Sequence, residues 1–205
     1  MHLEILSDQQ RELLPFVAHF KRSFYLAGGT AIALHIGHRR SIDFDLFTGK
    51  RLNKARIRKE VFELRHSKKP LFEDIDQAHF NINGVKTTFF HFPYPVGHPE
   101  MLDDIISLPS LLSLSAMKAF ALGRRAKWKD YVDLYFMLNY HFSVKDISIE
   151  AERIFGWQFS EKQFRLQLAF HKDINYSEPV EYMPCFEVTE QKVKEFLIDT
   201  SLQEI

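Results

Sequence analysis

The chain has 205 residues and a mass of 24.2 kDa, with 27 Lys and Arg against 27 Asp and Glu, 45% apolar residues and 26% charged ones. This is the composition of a globular protein of one domain or two small ones, and it excludes a chain too polar to fold. Cys185 is the only cysteine, which excludes a disulfide scaffold and a thiolate metal site, and no apolar run approaches the roughly 18 residues that span a bilayer.

The first ten residues are polar and mixed, without the basic and apolar regions of a signal peptide, so a cytoplasmic protein without a membrane is expected. Ser7 with Gln10 forms a capping-box pattern. Leu13, Leu14, Phe16, Val17 and Phe20 then recur at helical spacing, which predicts a helix from about Asp8 to Phe20 that Pro15 would kink or divide. Phe24 to Leu26 is a short strand stopped by Gly28-Gly29. Thr30 to Ile36 reads as a helix closed by Gly37. Ser41 to Phe47 alternates as a strand, with Ile42, Phe44 and Leu46 on one face and Ser41, Asp43, Asp45 and Phe47 on the other. Asn53 caps a basic helix to about Leu64. Leu71 to Ile75 and His79 to Ile82 read as strands, and Asn83-Gly84 as a hairpin turn into a return strand from Val85 to Phe92. Prolines 93, 95 and 99 mark a linker to about Asp104. Helices follow at about Pro109 to Arg124, Trp128 to Tyr140, Lys145 to Phe155, Glu161 to Phe170 and Thr189 to Ile198. The expected class is α+β: a small mixed sheet with flanking helices over residues 1–105, then a helical domain over 106–205. The aromatics Phe155, Trp157, Phe159, Phe164 and Phe170 fill the helical core or line an interface, with the core favoured.

The zero net charge is a cancellation. From His38 to Lys69, 11 bases face 4 acids. From Lys118 to Asp130, five bases face one acid. From Asp173 to Ile205, eight acids face two bases. Two basic stretches can still attract phosphate.

Chemistry concentrates where the short strand meets Gly28-Gly29-Thr30. Glycines let a ligand approach the backbone, and the helix N-terminus that follows offers free N–H donors to a triphosphate. Asp43 and Asp45 stand two apart on a strand, so both carboxylates leave one face, roughly 7 Å apart at Cα. Hard divalent cations take such oxygens. Arg39 and Arg40 just ahead are suited to phosphate.

The run Tyr25-Leu26-Ala27-Gly28-Gly29-Thr30-Ala31, then Gly37-His38-Arg39-Arg40-Ser41-Ile42-Asp43-Phe44-Asp45-Leu46-Phe47, resembles the first motif of the nucleotidyltransferase superfamily. Its wording is most similar to the AbiEii-type nucleotidyltransferase toxin family. A second block, Ala116-Met117-Lys118-Ala119-Phe120-Ala121, then Arg125 and Lys129-Asp130-Tyr131-Val132-Asp133-Leu134-Tyr135, resembles that family's downstream lysine and acidic motif. The resemblance implies Mg²⁺ or Mn²⁺, a nucleoside triphosphate, and transfer to an acceptor hydroxyl on tRNA, other RNA or protein. It implies a toxin of a toxin–antitoxin or phage-defence pair, with an antitoxin protein as partner. Carried over by position, Gly28, Gly29, Thr30, Arg40 and Ser41 bind the nucleotide. Asp43 and Asp45 hold metal, and with Lys118 and Asp130 they form the catalytic set. Helical spacing would also put Lys118, Arg125, Lys129 and Asp133 on one stripe, with Lys129 and Asp133 paired.

The pattern departs from the superfamily in one place. A third carboxylate is expected on the strand after Asn83-Gly84, and that strand carries none; Thr88 or Thr87 stands there instead. His91 is an alternative base, disfavoured by strand alternation. Two functions follow: a metal-dependent nucleotidyltransferase, or a catalytically impaired module of the same fold that binds nucleotide, RNA or a partner protein.

Overall fold

A computed structural model of the chain describes residues 1–65 and 69–203. Lys68, counted in the first basic stretch, lies outside them. The chain forms two compact units: Met1–Gly37 with Ser41–Ser110, and His38–Arg40 with Leu111–Ile205.

In the first unit α1 (Asp8–His19) opens on the Ser7–Gln10 capping box. It runs unbroken through Pro15, which lies on the exposed side, where the freed carbonyl is not shut away in the core. Then come β1 (Tyr25–Ala27), α2 (Gly28–Ile36), β2 (Phe44–Thr48), α3 (Lys54–Arg65), β3 (Phe72–Glu73), β4 (Gln77–Ile82) and β5 (Val85–His91). The five strands make one sheet in the order β1-β2-β5-β4-β3. β2 and β5 are parallel and every other pair is antiparallel.

The Asn83-Gly84 turn sets the register of β4 on β5. Both residues have positive φ, 51° and 84°, as a two-residue turn of the favoured hand requires. Ile82 therefore faces Val85, Phe80 faces Thr87 and His79 faces Thr88. One face of the sheet is core: Leu26, Phe44, Leu46, Ala78, Phe80 and Phe89 are all buried. The other face carries Asp45, Phe47, Gln77, His79 and Phe90, all partly exposed. Ile42 was expected beside Phe44, but it is 69% exposed, because the strand begins only at Phe44.

The expected linker contains a strand, β6 (Glu100–Leu102), which pairs antiparallel with β7 (Ile106–Leu108) just beyond it. Three residues are too few to show a period. The second unit is helical: α4 (Leu111–Leu122), α5 (Trp128–Tyr140), α6 (Val144–Phe155), α7 (Glu161–Ala169) and α8 (Glu190–Leu202). Phe155, Phe159 and Phe164 are buried in it, and Phe120 stacks on Phe155 at 3.7 Å. Trp157 and Phe170 are exposed. No helix among the described residues is long and apolar enough to cross a membrane.

Candidate functional site

The residues singled out by sequence fall into two clusters, one in each unit. In the first, β1 runs directly into α2, and the junction is Gly28 at φ +69°. A Cβ at this position would collide with Oδ2 of Asp45. The Asp45 carboxylate thus rests on the glycine's bare backbone, in space that any side chain would fill. Ala27 and Asp45 are cross-strand partners, which holds the carboxylate over the start of α2. Ala27 also gives that helix no side-chain cap, and uncapped N–H groups suit an anion. Gly29 lies half-buried in the same first turn.

Thr30 and Ser41 were expected to bind nucleotide; both are buried and engaged with the protein. The Thr30 hydroxyl donates to the backbone carbonyl of Asp43 and, with its proton so used, accepts from the Ser41 hydroxyl at 2.9 Å. Gln10, wholly buried, donates from Nε2 to the Ser41 carbonyl at 2.8 Å while its Oε1 accepts from Ser7 N–H at 3.0 Å. The segment entering Asp43 is therefore tied to α2 and to the cap of α1. Asp43 and Asp45 are both half-buried.

Across the sheet, Ala27, Asp45, Thr88, His79 and Phe72 form one row of register partners. Side chains of one row leave the same face. Thr88 is thus the β5 residue beside Asp45; Thr87 pairs with Phe44 and points into the core. His91 pairs with Thr48, on the face opposite Asp45, and its Nδ1 contacts Asp76 at 2.9 Å. Among the described residues no group of three or more His, Cys, Asp or Glu side chains is placed to hold a metal.

His79 was not singled out, although the hairpin register made its pairing with Thr88 readable. Its polar partners form a directed chain. Gln77 donates from Nε2 to Asp74 Oδ2 at 2.8 Å, so its Oε1 faces His79. That oxygen accepts from His79 Nε2 at 2.9 Å. Nδ1 is then the unprotonated nitrogen, and the Thr88 hydroxyl donates to it at 3.1 Å. Burial, followed by the charge of Lys86, lowers the His79 pKa; Asp45, Asp74 and Asp43 act in the opposite sense and do not restore it.

The second cluster joins both motif blocks. Backbone bonds to Glu181 and Met183 hold His38–Arg40 in the helical unit. Arg39 grips Asp133 in bidentate fashion, Nε to Oδ1 at 2.7 Å and Nη2 to Oδ2 at 2.9 Å. His38 Nε2 lies 2.8 Å from the same Oδ1. Lys118 Nζ lies 2.7 Å from Asp130 and 2.9 Å from Asp133, and Arg125 reaches Asp130 at 3.0 Å. All but Arg125 are buried. Burial would raise the Asp133 pKa, but Arg39, Lys118 and the hydrogen bonds from His38 and Arg39 hold it well below the carboxylate range. Asp130 is lowered despite burial by Lys118 and Arg125, and Lys118 is raised despite burial by the two aspartates. Burial lowers the His38 pKa against the opposing hydrogen bond and charge of Asp133.

Lys118 and Asp130, expected as catalytic groups, are thus ion-pair partners of each other. The expected stripe does not form, because the segment between Leu122 and Trp128 interrupts the helix; Lys129 pairs with Glu178 instead of Asp133. Arg40, expected on the nucleotide, reaches Glu181 at 2.9 Å.

A model of the nucleotidyltransferase AbiEii toxins of type IV toxin–antitoxin systems matches residues 16–100. An uncharacterized protein of Aquifex aeolicus (strain VF5) is 31% identical over 196 residues, spanning 93% of this chain and 87% of its own. The nucleotidyltransferase toxin MenT4 of Mycobacterium tuberculosis H37Rv shares the fold with a TM-score of 0.59 at 13% identity, over 95% of this chain and 83% of its own. A Helicobacter pylori protein assigned as a nucleotidyltransferase does so with a TM-score of 0.55 at 14% identity, over 95% and 94%. With the mixed sheet and both motif blocks in place, the chain belongs to the AbiEii family of nucleotidyltransferase toxins.

Proposed function

We propose that this chain transfers a nucleotidyl group from a nucleoside triphosphate to an acceptor hydroxyl on RNA, at Asp43 and Asp45. The observation that carries the reading is the Asp45 carboxylate seated on Gly28 at the uncapped start of α2. Two half-buried carboxylates, with no third acid grouped with them among the described residues, would suit Mg²⁺, a hard cation that one or two protein carboxylates can hold beside substrate phosphates. A divalent cation held by Asp43 and Asp45 would supply neutralisation of the charge that builds on the phosphates as pyrophosphate leaves. Gly28 and Gly29 leave backbone open to the phosphates. Thr30, Ser41 and Gln10 fix the strand entry that aims Asp43. In this reading Lys118 and Asp130 are positioning residues of the helical unit, where Lys118 braces the Asp133 carboxylate that holds Arg39.

The test is incubation of the purified chain with Mg²⁺, each labelled nucleoside triphosphate and bulk tRNA. Label on RNA that disappears in Asp43→Ala supports the proposal. Nucleotide binding without label transfer supports the impaired module. A toxin of this kind also has an antitoxin protein as partner; co-expression with the product of a neighbouring reading frame, read as relief of growth arrest, tests that part.

A further inference from the structure

The row through Asp45 ends in a hydrogen-bond chain that all points one way. It begins at the Asp74 carboxylate, which only accepts, and passes through Gln77 and His79 to the Thr88 hydroxyl. Each polarity in it is set by the anion at the far end. Thr88 therefore gives its proton to His79 Nδ1 and keeps its oxygen lone pairs for a further donor. Its register partner is Asp45, on a strand about 4.8 Å away. A nucleophile-type hydroxyl, a base within reach and a third group that orients the base are the parts of a proton-accepting relay.

We propose that Thr88 and His79 take the proton of the attacking acceptor hydroxyl, Thr88 directly and His79 through it. This rests on the nucleotidyl-transfer reading of Asp43 and Asp45. The acceptor O–H proton passes to Thr88 Oγ as the Thr88 proton passes to His79 Nδ1. The acceptor oxygen forms its bond to the α-phosphorus, and the bond from that phosphorus to pyrophosphate breaks. Thr88 ends as it began, and His79 ends as an imidazolium. Gln77 orients the imidazole, and Asp74 behind it favours the charged form. Thr88 is nearly buried, 6% exposed, which keeps bulk water from supplying the proton path. The charges acting on His79 are Lys86 on β5, Asp45 and Asp43 at β2, and Asp74 in the turn before β4.

The experiment is single-turnover transfer of label to bulk tRNA by the full chain across pH 5 to 9, with nucleotide affinity and thermal melting measured in parallel. The wild-type rate falls at acid pH with unit slope, through an apparent pKa below the ordinary histidine value. Thr88→Val and His79→Gln slow transfer by about 100-fold or more, in the range of lost general-base catalysis, with nucleotide affinity unchanged and the acid limb gone. Thr88→Ser restores the rate and the limb, and Thr88→Asp moves the limb down toward the carboxylate range. Transfer lost in Asp43→Ala but kept at wild-type rate and pH profile in Thr88→Val or His79→Gln overturns the relay alone. Thr88→Ser no better than Thr88→Val also overturns it. Label retained on the protein and abolished by Thr88→Val overturns it in favour of Thr88 as a covalent acceptor. A wild-type chain that transfers no label overturns the nucleotidyl-transfer reading, and the relay with it.

Discussion

At the scale of single residues, the shape of the candidate site depends on a glycine and a glutamine. Gly28 combines a positive φ with a Cβ position already occupied by the Asp45 carboxylate. Alanine there adds roughly 1–2 kcal/mol of left-handed strain and displaces the carboxylate as well. Gly28→Ala is therefore expected to lower transfer at least tenfold at saturating nucleotide, with a melting temperature reduced by only a few degrees; a rate within twofold of wild type contradicts the arrangement. Gln10 serves two masters through the two ends of one amide. Gln10→Glu keeps the acceptor that closes the α1 cap and loses the donor to the Ser41 carbonyl, placing a carboxylate against that oxygen. The expected cost is about 1–3 kcal/mol, the range for a buried acceptor left without its partner. Chemical denaturation measures it, and Gln10→Met, which removes both hydrogen bonds without adding charge, separates the repulsion from the loss of the bonds.

At the scale of elements, what the sequence made legible followed from local rules. Asn83-Gly84 dictated a two-residue turn, and counting back from it places His79 opposite Thr88; alternation in β2 and the capping box of α1 were equally readable. The buried cluster was not, since helical spacing along α4 and α5 presumes one continuous helix, whereas the break after Leu122 turns Asp130 and Asp133 toward Lys118. His38 and Arg39 reach Asp133 across more than ninety positions of sequence, a pairing no local pattern shows. Removing one member leaves the others buried without a counter-charge, so Lys118→Met is expected to cost about 3–5 kcal/mol, part of it recovered in Lys118→Met with Asp130→Asn. His38 adds a pH dependence. Its native pKa is lowered, so between the unfolded value, about 6.5, and the lower native one, the unfolded chain binds more protons and stability falls as pH falls. Asp130 and Asp133 are lowered too; their contribution is present above the unfolded carboxylate value and is lost only as pH drops through their native values. The melting temperature should therefore decline from pH 7.5 to 5, and less steeply in His38→Gln, which retains a donor for Asp133; parallel declines in the two proteins rule His38 out as a source.

At the scale of the whole molecule, zero net charge conceals an uneven field. Four of the five bases of the second stretch are neutralised inside their own unit: Lys118 and Arg125 by Asp130, Lys127 and Lys129 by Glu178, whose pKa those two lysines pull down to about 2 against the effect of burial. Glu181 likewise meets Arg40. Two acids of the tail, Glu178 and Glu181, thus answer bases of the two stretches. Much of the first stretch is also matched, Arg56 by Glu60, Arg58 and Lys54 by Glu73, and Lys59 by Glu63. Among the described residues, Arg22, Lys50 and Arg51 have no carboxylate partner. Arg22 and Lys50 line a cavity of about 310 Å³ with Tyr25, Tyr94 and His98, and Arg51 lines the pocket beside it. Unpaired cations next to aromatic rings attract a phosphate backbone and leave bases a surface on which to stack. If RNA is the acceptor, Lys50→Glu with Arg51→Glu should raise the acceptor KM several-fold while the nucleotide KM stays within error. The salt dependence of acceptor binding should also weaken by about 0.7–0.9 for each phosphate that the variant no longer neutralises. Steady-state transfer at two salt concentrations, varying tRNA and nucleotide separately, decides the matter. Equal shifts in both KM values, or none, would place the acceptor on another surface of the chain.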